Sequence, residues 1–341
     1  MSNQPPIEVP QGAIRLNTDS QRLEFFAQDR WYEMATENAS IGNIGFRVSG
    51  TGAGATLIET FNIASLGNSH DTGFDLSTSR GAFGCSASRT RAIICGGNAP
   101  GITGSNNIQY FEMTSLSNTI DFGDLTYDAA EAGAHSNNVR LVVTGAASHA
   151  SNVINFLTVA STGSAQDFGD QGNSLSSVTS CGSPTRALFG GGVNPGVKNI
   201  IEFVTIASTG NSVDFGDLTV ARYSAGSGSN NTRGLFIMGN AGSPTNQVNT
   251  IDFVTISSTG NAQDFGDSNM NDTGGPTQGA GVAASPNRIV FFGGYITGGT
   301  DRTTEMEYVN PTTRGNSTRF GDLETAQNSD GNALSSSHGG L

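Results

Sequence analysis

One segment recurs along nearly the whole of this chain. The two clearest copies, Ile201–Asp217 and Ile251–Asp267, share an Ile-x-Phe-Val-Thr-Ile run, a Ser-Thr-Gly-Asn turn and a closing Asp-Phe-Gly-Asp. Six copies are recognisable, with their last residues 46 to 55 positions apart, at Asp75, Asp124, Asp170, Asp217, Asp267 and Asp322. Repeats of this length, made of short apolar runs and turn residues, predict a radial or linear array of small β units.

Each repeat carries four strand signals. The first is small and bland, as in Ser224–Ser229, and the second is apolar and ends in glycine, as in Ile289–Gly294. The third is the Ile-x-Phe run, rich in β-branched and aromatic residues, and the fourth ends in Asp-Phe-Gly-Asp. Four short strands are typical of one β-propeller blade. Gly, Ala and Ser in the first strand suit the innermost position, where several backbones converge on a central channel.

The two ends of the chain complement each other. A second-strand signal at Ile44–Gly50 precedes the first complete repeat, whereas the last repeat ends with a first-strand signal at Asn332–Ser337 and no second strand. We therefore predict an all-β fold, a six-bladed β-propeller over residues 44–341 that is closed by N- and C-terminal strands. Closure of this kind protects exposed edges. Residues 1–43 then form a small N-terminal β anchor segment.

Residues 44–341 resemble kelch-type β-propellers. The shared features are an apolar strand ending in Gly-Gly (Gly96-Gly97, Gly190-Gly191, Gly293-Gly294) and an aromatic residue in the next strand (Tyr110, Phe203, Tyr308). The resemblance is incomplete, because the kelch Trp is missing and the Phe of Asp-Phe-Gly-Asp stands in its place. The Arg expected before the first strand is present only at Arg80 and Arg222. The chain therefore resembles a divergent branch, and no kelch partner is implied.

A second resemblance is to virion proteins of tailed bacteriophages. The degenerate repeat is similar to repeats in such proteins, and Gly12–Glu33 resembles a short module near the start of phage fibres and other structural proteins. That module has the form Gly-Ala-Ile-Arg-x-Asn, a turn, Leu-Glu-x-Tyr, a turn and Trp, with Phe26 here in the Tyr position. The resemblance implies a structural virion protein, a fibre, spike or capsid decoration subunit, that is synthesised in a host cytoplasm.

The N-terminal segment reads as three short strands within residues 12–34. A sheet this small is marginal by itself, and it carries the chain's single Trp, so we expect it to dock on something. One possibility is the propeller's own flank. The other, which we favour because aromatic residues are enriched at interfaces, is a neighbouring subunit or another virion protein of the capsid, tail or baseplate. The predicted anchor residues are Ile14, Leu16, Leu23, Phe25, Trp31 and Tyr32.

Alternating strand direction sorts the connections onto two faces. The turns between strands one and two and between strands three and four share one face and are nearly constant. The loops between strands two and three share the other face with the blade-to-blade connections, and they vary. Constant strands with variable loops are the arrangement of binding proteins, so we predict ligand-binding loops, with a host-surface glycan as the candidate ligand. The candidates are Asn98, Asn106, His149, Asn194, Asn246, Tyr295 and Asp301. We expect the N-terminal segment on the opposite, constant face.

Two charged residue types recur with the repeat. Arg91, Arg140, Arg186, Arg233 and Arg288 precede the second strands, where they could clamp an anionic partner or, as we favour, be solvated turn residues. The repeated Asp could hold Ca²⁺, but a ring of six blades separates these groups, so turn capping is the favoured role and we predict no metal.

The composition limits which classes of partner and which cellular compartment we expect for this protein. A net charge of −13 without any basic run argues against nucleic acid. There is no signal-peptide pattern and no apolar run of transmembrane length, so membrane insertion is not expected. Three cysteines give no disulfide framework. Cys85 and Cys95 lie on adjacent predicted strands and could pair, although two reduced core residues are favoured.

No catalytic motif is present in the sequence. The four His residues are scattered without metal-ligand spacing, and the inner strands offer no paired carboxylates for a glycosidase. We therefore expect a non-enzymatic protein without a cofactor, present in multiple copies or as a homo-oligomer. An intracellular kelch-like interaction module is the rival interpretation, and a glycan-active propeller enzyme is a third.

Overall fold

The computed structural model describes residues 10–17, 22–27, 30–33, 43–48, 56–99, 101–145, 151–243, 246–270, 277–294, 303–325, 332–335 and 337. All regular elements in these ranges are β-strands. The chain divides into two compact units, Met1–Ser40 and Ile41–Leu341.

The first unit contains a three-stranded antiparallel sheet. Its strands are β1 (Ile14–Asn17), β2 (Arg22–Ala27) and β3 (Arg30–Glu33), in the order β1-β2-β3. Ile14 pairs with Phe25, and Phe25 pairs with Tyr32 on its other side. The Trp31 ring packs edge-on against Phe26, with ring centroids 5.3 Å apart, and the Arg15 guanidinium lies 4.1 Å from the Trp31 ring centre.

The second unit is a six-bladed β-propeller in which every blade is a four-stranded antiparallel sheet. Blade 1 comprises β7 (Gly84–Ala87), β8 (Arg91–Cys95), β9 (Ser105–Glu112) and β10 (Ile120–Ala129). Blade 2 comprises β11 (Gly133–Ser136), β12 (Arg140–Thr144), β13 (Ser151–Thr158) and β14 (Gln166–Leu175). Blade 3 comprises β15 (Thr179–Gly182), β16 (Arg186–Gly190), β17 (Ile200–Thr205) and β18 (Val213–Asp217). Blade 4 comprises β19 (Gly226–Ser229), β20 (Arg233–Ile237), β21 (Thr250–Thr255) and β22 (Gln263–Asp267). Blade 5 comprises β23 (Gly281–Ala284), β24 (Ile289–Phe292), β25 (Glu305–Val309) and β26 (Thr318–Asp322).

Blade 6 is assembled from both ends of the propeller unit, which confirms the predicted closure. Its outer strands are β4 (Ile44–Val48), β5 (Leu57–Asn62) and β6 (His70–Asp75), and its innermost strand is β27 (Asn332–Ser335). Strands β27 and β4 are antiparallel, with Leu334 opposite Phe46. The innermost strand β27 also contacts β23 on one side and β7 on the other, so the six innermost strands form a closed ring.

The apolar core lies between the blades. Six clusters of buried residues each join two neighbouring blades, so one cluster fills each of the six seams, as we call these blade-to-blade contact surfaces. The seam between blades 3 and 4, for example, packs Leu188 and Phe215 against Phe236 and Val254. Because every blade buries both of its faces, no blade has a complete core without its neighbours.

The Asp-Phe-Gly-Asp sequence recognises the next blade. In blade 3 the ladder shifts register so that Phe215 occupies a β-bulge, and its ring packs edge-on against Phe203 of the same blade, with centroids 5.8 Å apart. Gly216 faces the other way, and a Cβ there would lie 2.5 Å from the Gly260 carbonyl of blade 4. The Gly260 amide donates to the Phe215 carbonyl at 2.7 Å. Equivalent Gly–Gly contacts join Gly123 to Gly163, Gly169 to Gly210, Gly266 to Gly315 and Gly321 to Gly67.

The closing Asp contributes its backbone to the same seam. Its amide donates to the side-chain oxygen at the end of the neighbouring Ser-Thr-Gly-Asn turn, as from Asp217 to Asn261 at 3.1 Å. The same contact occurs in all six seams; the other pairs are Asp75–Asn118, Asp124–Ser164, Asp170–Asn211, Asp267–Asn316 and Asp322–Asn68. The two most conspicuous parts of the repeat therefore recognise each other across seams.

The repeated arginines stabilise seams, so the favoured prediction that they are solvated turn residues was wrong. Each guanidinium lies over the aromatic ring of its own third strand, 4.5–4.9 Å from the ring centre, and donates to a backbone carbonyl of the next blade. The N–O distances are 2.9 Å for Arg91–Val159, 3.0 Å for Arg140–Ile206, 2.9 Å for Arg186–Ile256, 2.8 Å for Arg233–Pro311 and 2.9 Å for Arg288–Ile63. They are half-buried, and each donates at least one hydrogen bond within the protein, while the alternative role of binding an anionic partner stays a prediction.

The seam between blades 6 and 1 differs from the other five. Ile44 occupies the arginine position, Thr60 occupies the position of the stacked aromatic ring, and Phe74 occupies the position of the Asp-Phe-Gly-Asp glycine. Phe74 crosses to blade 1 and packs against Phe111, with ring centroids 5.3 Å apart. Apolar side chains thus replace both the arginine contact and the Gly–Gly contact at this seam.

Candidate ligand site at the mouth of the central channel

The innermost strands line a central channel with small side chains, as their composition predicted. The second residue of each of these strands faces the channel; these residues are Cys85, Ala134, Ser180, Ser227, Val282 and Ala333. Adjacent innermost strands approach closely, since a Cβ on Gly133 would lie 3.1 Å from the Val178 carbonyl oxygen, and a Cβ on Gly226 would lie 3.1 Å from that of Ala280. Larger residues at these positions would separate the strands.

The channel widens into a cavity of about 220 Å³ where the innermost strands begin. Because these strands follow the blade-to-blade connections, the cavity opens on the face that also carries the loops between strands two and three. We call this end of the propeller the loop face. A cavity of this size is smaller than a drug-sized pocket and suits a single small chemical group.

A ring of backbone residues in the left-handed conformation surrounds the cavity. Ala82, Glu131, Ser177 and Ser224 have φ between 48° and 55°, and Gly279 has φ of 70°; each lies two residues before an innermost strand. Non-glycine residues adopt this conformation at a cost of about 1 kcal/mol each. Hydrogen bonds between blades hold the ring, because the Glu131 amide donates to Ala82 at 2.5 Å, the Ser224 amide to Ser177 at 3.1 Å and the Gly279 amide to Ser224 at 2.7 Å. Strained backbone recurring around one cavity marks it as a candidate site.

The cavity has a polar side and an apolar side. Blades 2 to 4 contribute the Glu131 carboxylate and most of the hydroxyl groups, from Ser177, Thr179, Ser180, Tyr223, Ser224 and Ser227. Blades 1, 5 and 6 contribute mainly apolar groups, from Ala82, Phe83, Ala280, Val282 and Ala333. Glu131 is half-buried and its carboxylate accepts from the Ser177 hydroxyl.

The predicted ligand-binding loops are only partly described. Asn98 lies beside the mouth, where its backbone pairs with Gly81, but its side chain accepts from the Gly104 amide at 2.8 Å. Asn194 is exposed and its side-chain amide donates to the Ser174 carbonyl at 3.0 Å, whereas Asn246 closes a turn with a backbone bond to Gly242 at 2.7 Å. None of these three lines the cavity.

Asn106 was expected in a loop, and the structure places it within β9, where it is exposed. The chain has already turned into its third strand at Ser105, one residue earlier. The remaining candidates, His149, Tyr295 and Asp301, lie outside the described residues.

The predicted anchor residues all lie on the three strands of the N-terminal sheet. Ile14 is 64% exposed, and Trp31 is half-buried beneath Arg15. Leu16 pairs in register with Leu23, and Phe25 with Tyr32. The exposed Ile14 leaves apolar area on this sheet that a partner could cover, and the anchor role of these residues stays a prediction.

The buried acidic groups of the third strands make structural contacts. The third strand of each blade carries a buried polar residue at one equivalent position, and four of these are the carboxylates Glu59, Glu202, Asp252 and Glu307. Asp252 bonds Arg222 at 2.8 Å, Glu59 bonds Arg47 at 2.6 Å, and burial raises the pKa of Glu307, which accepts from Ser317 and Ser268. Among the described residues, no cluster of three His, Cys, Asp or Glu side chains has metal-binding geometry.

His135 and the three cysteines are structural groups, with His135, Cys85 and Cys181 on innermost strands and Cys95 on a second strand. His135 is buried on β11, its Nε2 lies 3.2 Å from the Ser183 carbonyl of blade 3, and burial lowers its pKa to about 4. Cys85, Cys95 and Cys181 are free thiols, as favoured from the sequence. Burial raises the pKa of Cys95 and of Cys181 to about 12, so neither is a reactive thiolate. His70 is exposed, and the other two His residues lie outside the described ranges.

Neither a scan against protein-family models nor a search of curated proteins finds a match to this chain. Within the described ranges, no helix has the length and apolar character needed to cross a bilayer.

Proposed function

We propose that this chain is a non-enzymatic structural protein of a tailed-bacteriophage virion, a fibre, spike or capsid decoration subunit with a divergent kelch-like propeller head. The N-terminal module and the degenerate repeat, both of which resemble virion proteins, support the assignment. Residues 1–43 attach the subunit to a capsid, tail or baseplate protein, and the propeller is displayed in several copies on a particle assembled in the host cytoplasm.

The observation that carries a binding role is the distribution of constant and variable residues over the propeller. The residues that repeat from blade to blade are those that form the seams: the arginines, the Asp-Phe-Gly-Asp bulges and the Ser-Thr-Gly-Asn turns. The residues that differ lie in the loops of the loop face and around the cavity. A rigid scaffold with one variable face supports adhesion to a host surface, for which a glycan is the fitting partner class.

The arrangement of carboxylates supports a binding role over catalysis. A glycosidase places two carboxyl groups across the scissile bond. Among the described residues that line the cavity, Glu131 is the one carboxylate, and the buried carboxylates of the third strands are bonded to hydroxyl or guanidinium groups of their own blades. The described lining can therefore orient a ligand, and it offers one carboxylate where a glycosidase uses two.

Particle composition tests the proposed function. Purified virions from the source of this gene should contain the chain in multiple copies, detectable by mass spectrometry. A Trp31→Ala variant should fold but be depleted from particles, since it removes the stacked centre of the N-terminal sheet, whereas Val213→Ala, which shortens an exposed propeller side chain, should be incorporated normally. Absence of the chain from particles, with accumulation in host cytoplasm, would overturn the assignment.

A further inference from the structure

The cavity at the channel mouth carries an inference about its ligand, which rests on the proposed binding function and deepens it. The relevant question is which hydrogen-bonding groups the cavity leaves available. A ligand must supply the complementary groups, because a buried polar group without a partner is costly.

The hydroxyl groups on the polar side largely donate their protons to the protein. Ser177 donates to the Glu131 carboxylate, and Thr179 donates to the Ser227 oxygen at 2.5 Å. Ser227 donates to the Ser180 carbonyl at 2.8 Å, and the Ser180 hydroxyl donates to the Leu188 carbonyl at 3.0 Å. These four oxygens therefore present lone pairs rather than protons to the cavity.

The charge of the cavity also favours a ligand that donates hydrogen bonds. Glu131 provides a carboxylate, and no Lys or Arg occurs among the described residues that line the cavity. The chain as a whole has a net charge of −13, which disfavours an approaching anion. A ligand in this cavity must accordingly donate hydrogen bonds and gains from positive charge.

The shape and apolar side restrict the ligand further. The space of about 220 Å³ takes a single ring-sized group, and the wall formed by Ala82, Phe83 and Val282 suits a face made of C–H bonds. A sugar ring combines hydroxyl donors at its edge with such a face, and an amino substituent adds the positive charge.

From this juxtaposition of Glu131, the acceptor hydroxyls and the apolar wall, we propose that the channel mouth binds an amino-sugar unit, with its ammonium group on the Glu131 carboxylate. A charge-assisted hydrogen bond to a half-buried carboxylate is stronger than a neutral one. Glu131 is then the residue that selects the amine, and the hydroxyls of Thr179 and Ser227 accept from the ring.

Calorimetric titration of the full-length chain tests this proposal. Glucosamine should bind at least about tenfold more tightly than glucose, and glucuronate should bind most weakly. Glu131→Gln, which retains an acceptor for Ser177, should abolish the preference for glucosamine without changing the thermal midpoint. The matched control Asp264→Asn removes an exposed carboxylate on β22 of blade 4, away from the cavity, and should bind like the wild type.

Several outcomes would overturn the proposal. One is failure of glucosamine to bind at millimolar concentration, and others are glucuronate binding as tightly as glucosamine or an unchanged preference in Glu131→Gln. Lysine amide provides the other common source of an ammonium group, and its binding more tightly than glucosamine would refute the sugar assignment. Adhesion to an amine-free host glycan that Glu131→Gln leaves intact would contradict this inference alone, whereas the proposed virion role depends on particle composition.

Discussion

Five seams of this propeller are built alike, and the sixth is built differently. In the five, an arginine stacked on an aromatic ring reaches the next blade, and two glycines bring the backbones of neighbouring blades together. In the seam between blades 6 and 1, Ile44 and Phe74 replace these polar and backbone contacts with apolar packing. The hydrogen bond from the closing Asp to the neighbouring turn is common to all six. The arginine and Gly–Gly contacts can therefore be exchanged for apolar packing while the bonds to the closing Asp are kept.

Removing the strand that closes the ring should have the largest effect. Deletion of residues 332–341 takes β27 from blade 6 and leaves β4 as an open edge next to two incomplete seams. We expect loss of the cooperative thermal transition and aggregation, measured by circular dichroism and light scattering. Addition of a peptide spanning residues 326–341 should restore part of the transition. A truncated chain that melts like the full chain would show that the ring does not depend on this strand.

Phe74→Ala tests the apolar seam. The Phe74 side chain is 4% exposed and fills space between blades 6 and 1, so its truncation should lower the free energy of unfolding by about 3 to 5 kcal/mol. Denaturant unfolding measures the change. Ile120→Ala, which shortens a side chain that is 53% exposed on blade 1, should change stability by less than about 0.5 kcal/mol. Equal effects of the two substitutions would contradict the assigned role of Phe74.

The two glycines that meet at the seam between blades 3 and 4 should differ in how much their substitution by alanine destabilises the protein. A Cβ on Gly216 would lie 2.5 Å from Gly260 backbone, whereas a Cβ on Gly260 meets nothing within 4 Å. Both residues have a positive φ, so Gly260→Ala should destabilise the protein by about 1 kcal/mol through its backbone conformation alone, and Gly216→Ala by about 3 kcal/mol because overpacking adds to that cost. Unfolding midpoints of the pair, measured side by side, check this asymmetry. A smaller loss for Gly216→Ala than for Gly260→Ala would refute the close approach.

The seam between blades 2 and 3 should be pH-sensitive. Because His135 has a pKa of about 4 in the folded chain and about 6.5 when unfolded, the unfolded state binds the proton more readily between these values. His135 should therefore cost the protein about 3 kcal/mol of stability as the pH falls from 6.5 to 4. The measurement is the difference in unfolding free energy between the wild type and His135→Gln across this range. Parallel pH profiles for the two proteins would exclude the effect.

Of the five changes predicted here, the loss of one arginine should have the smallest effect on the free energy of unfolding. Arg186→Ala removes a hydrogen bond to the Ile256 carbonyl and the stack on Phe203, which together should contribute about 2 kcal/mol. The exposed Arg89 provides the control, since Arg89→Ala should have little effect on the melting temperature. If both variants melt like the wild type, the repeated arginines are solvated residues after all.

The number of blades and the mode of closure could be predicted because the repeat is visible in the sequence. Six closing Asp residues give the count, and the unmatched strands at Ile44–Val48 and Asn332–Ser335 show how the ring closes. The arginine contacts could not be predicted, since the carbonyl that Arg186 reaches lies 70 residues away, and only the radial packing of blades brings the two together.

The candidate cavity was missed for a related reason. Its left-handed ring has Ala82, Glu131, Ser177 and Ser224 at equivalent positions, and these share no residue type that a sequence pattern would detect. The Asn residues chosen instead have structural roles, since Asn98 accepts from the Gly104 amide of its own loop and Asn194 donates to the Ser174 carbonyl on β14 of the preceding blade. A small signal was available in Glu131, an acidic residue that lies two positions before an innermost strand among otherwise small neighbours.

Hydrogen–deuterium exchange at the closing strand pair tests the closed ring most directly. The amides of Ile44–Val48 that face β27 should be protected to within about tenfold of the amides of Arg233–Ile237 that face β19, because both sets lie between an innermost strand and a third strand. Exchange of the first set at the rate of an open sheet edge, with the second set still protected, would contradict the closed propeller.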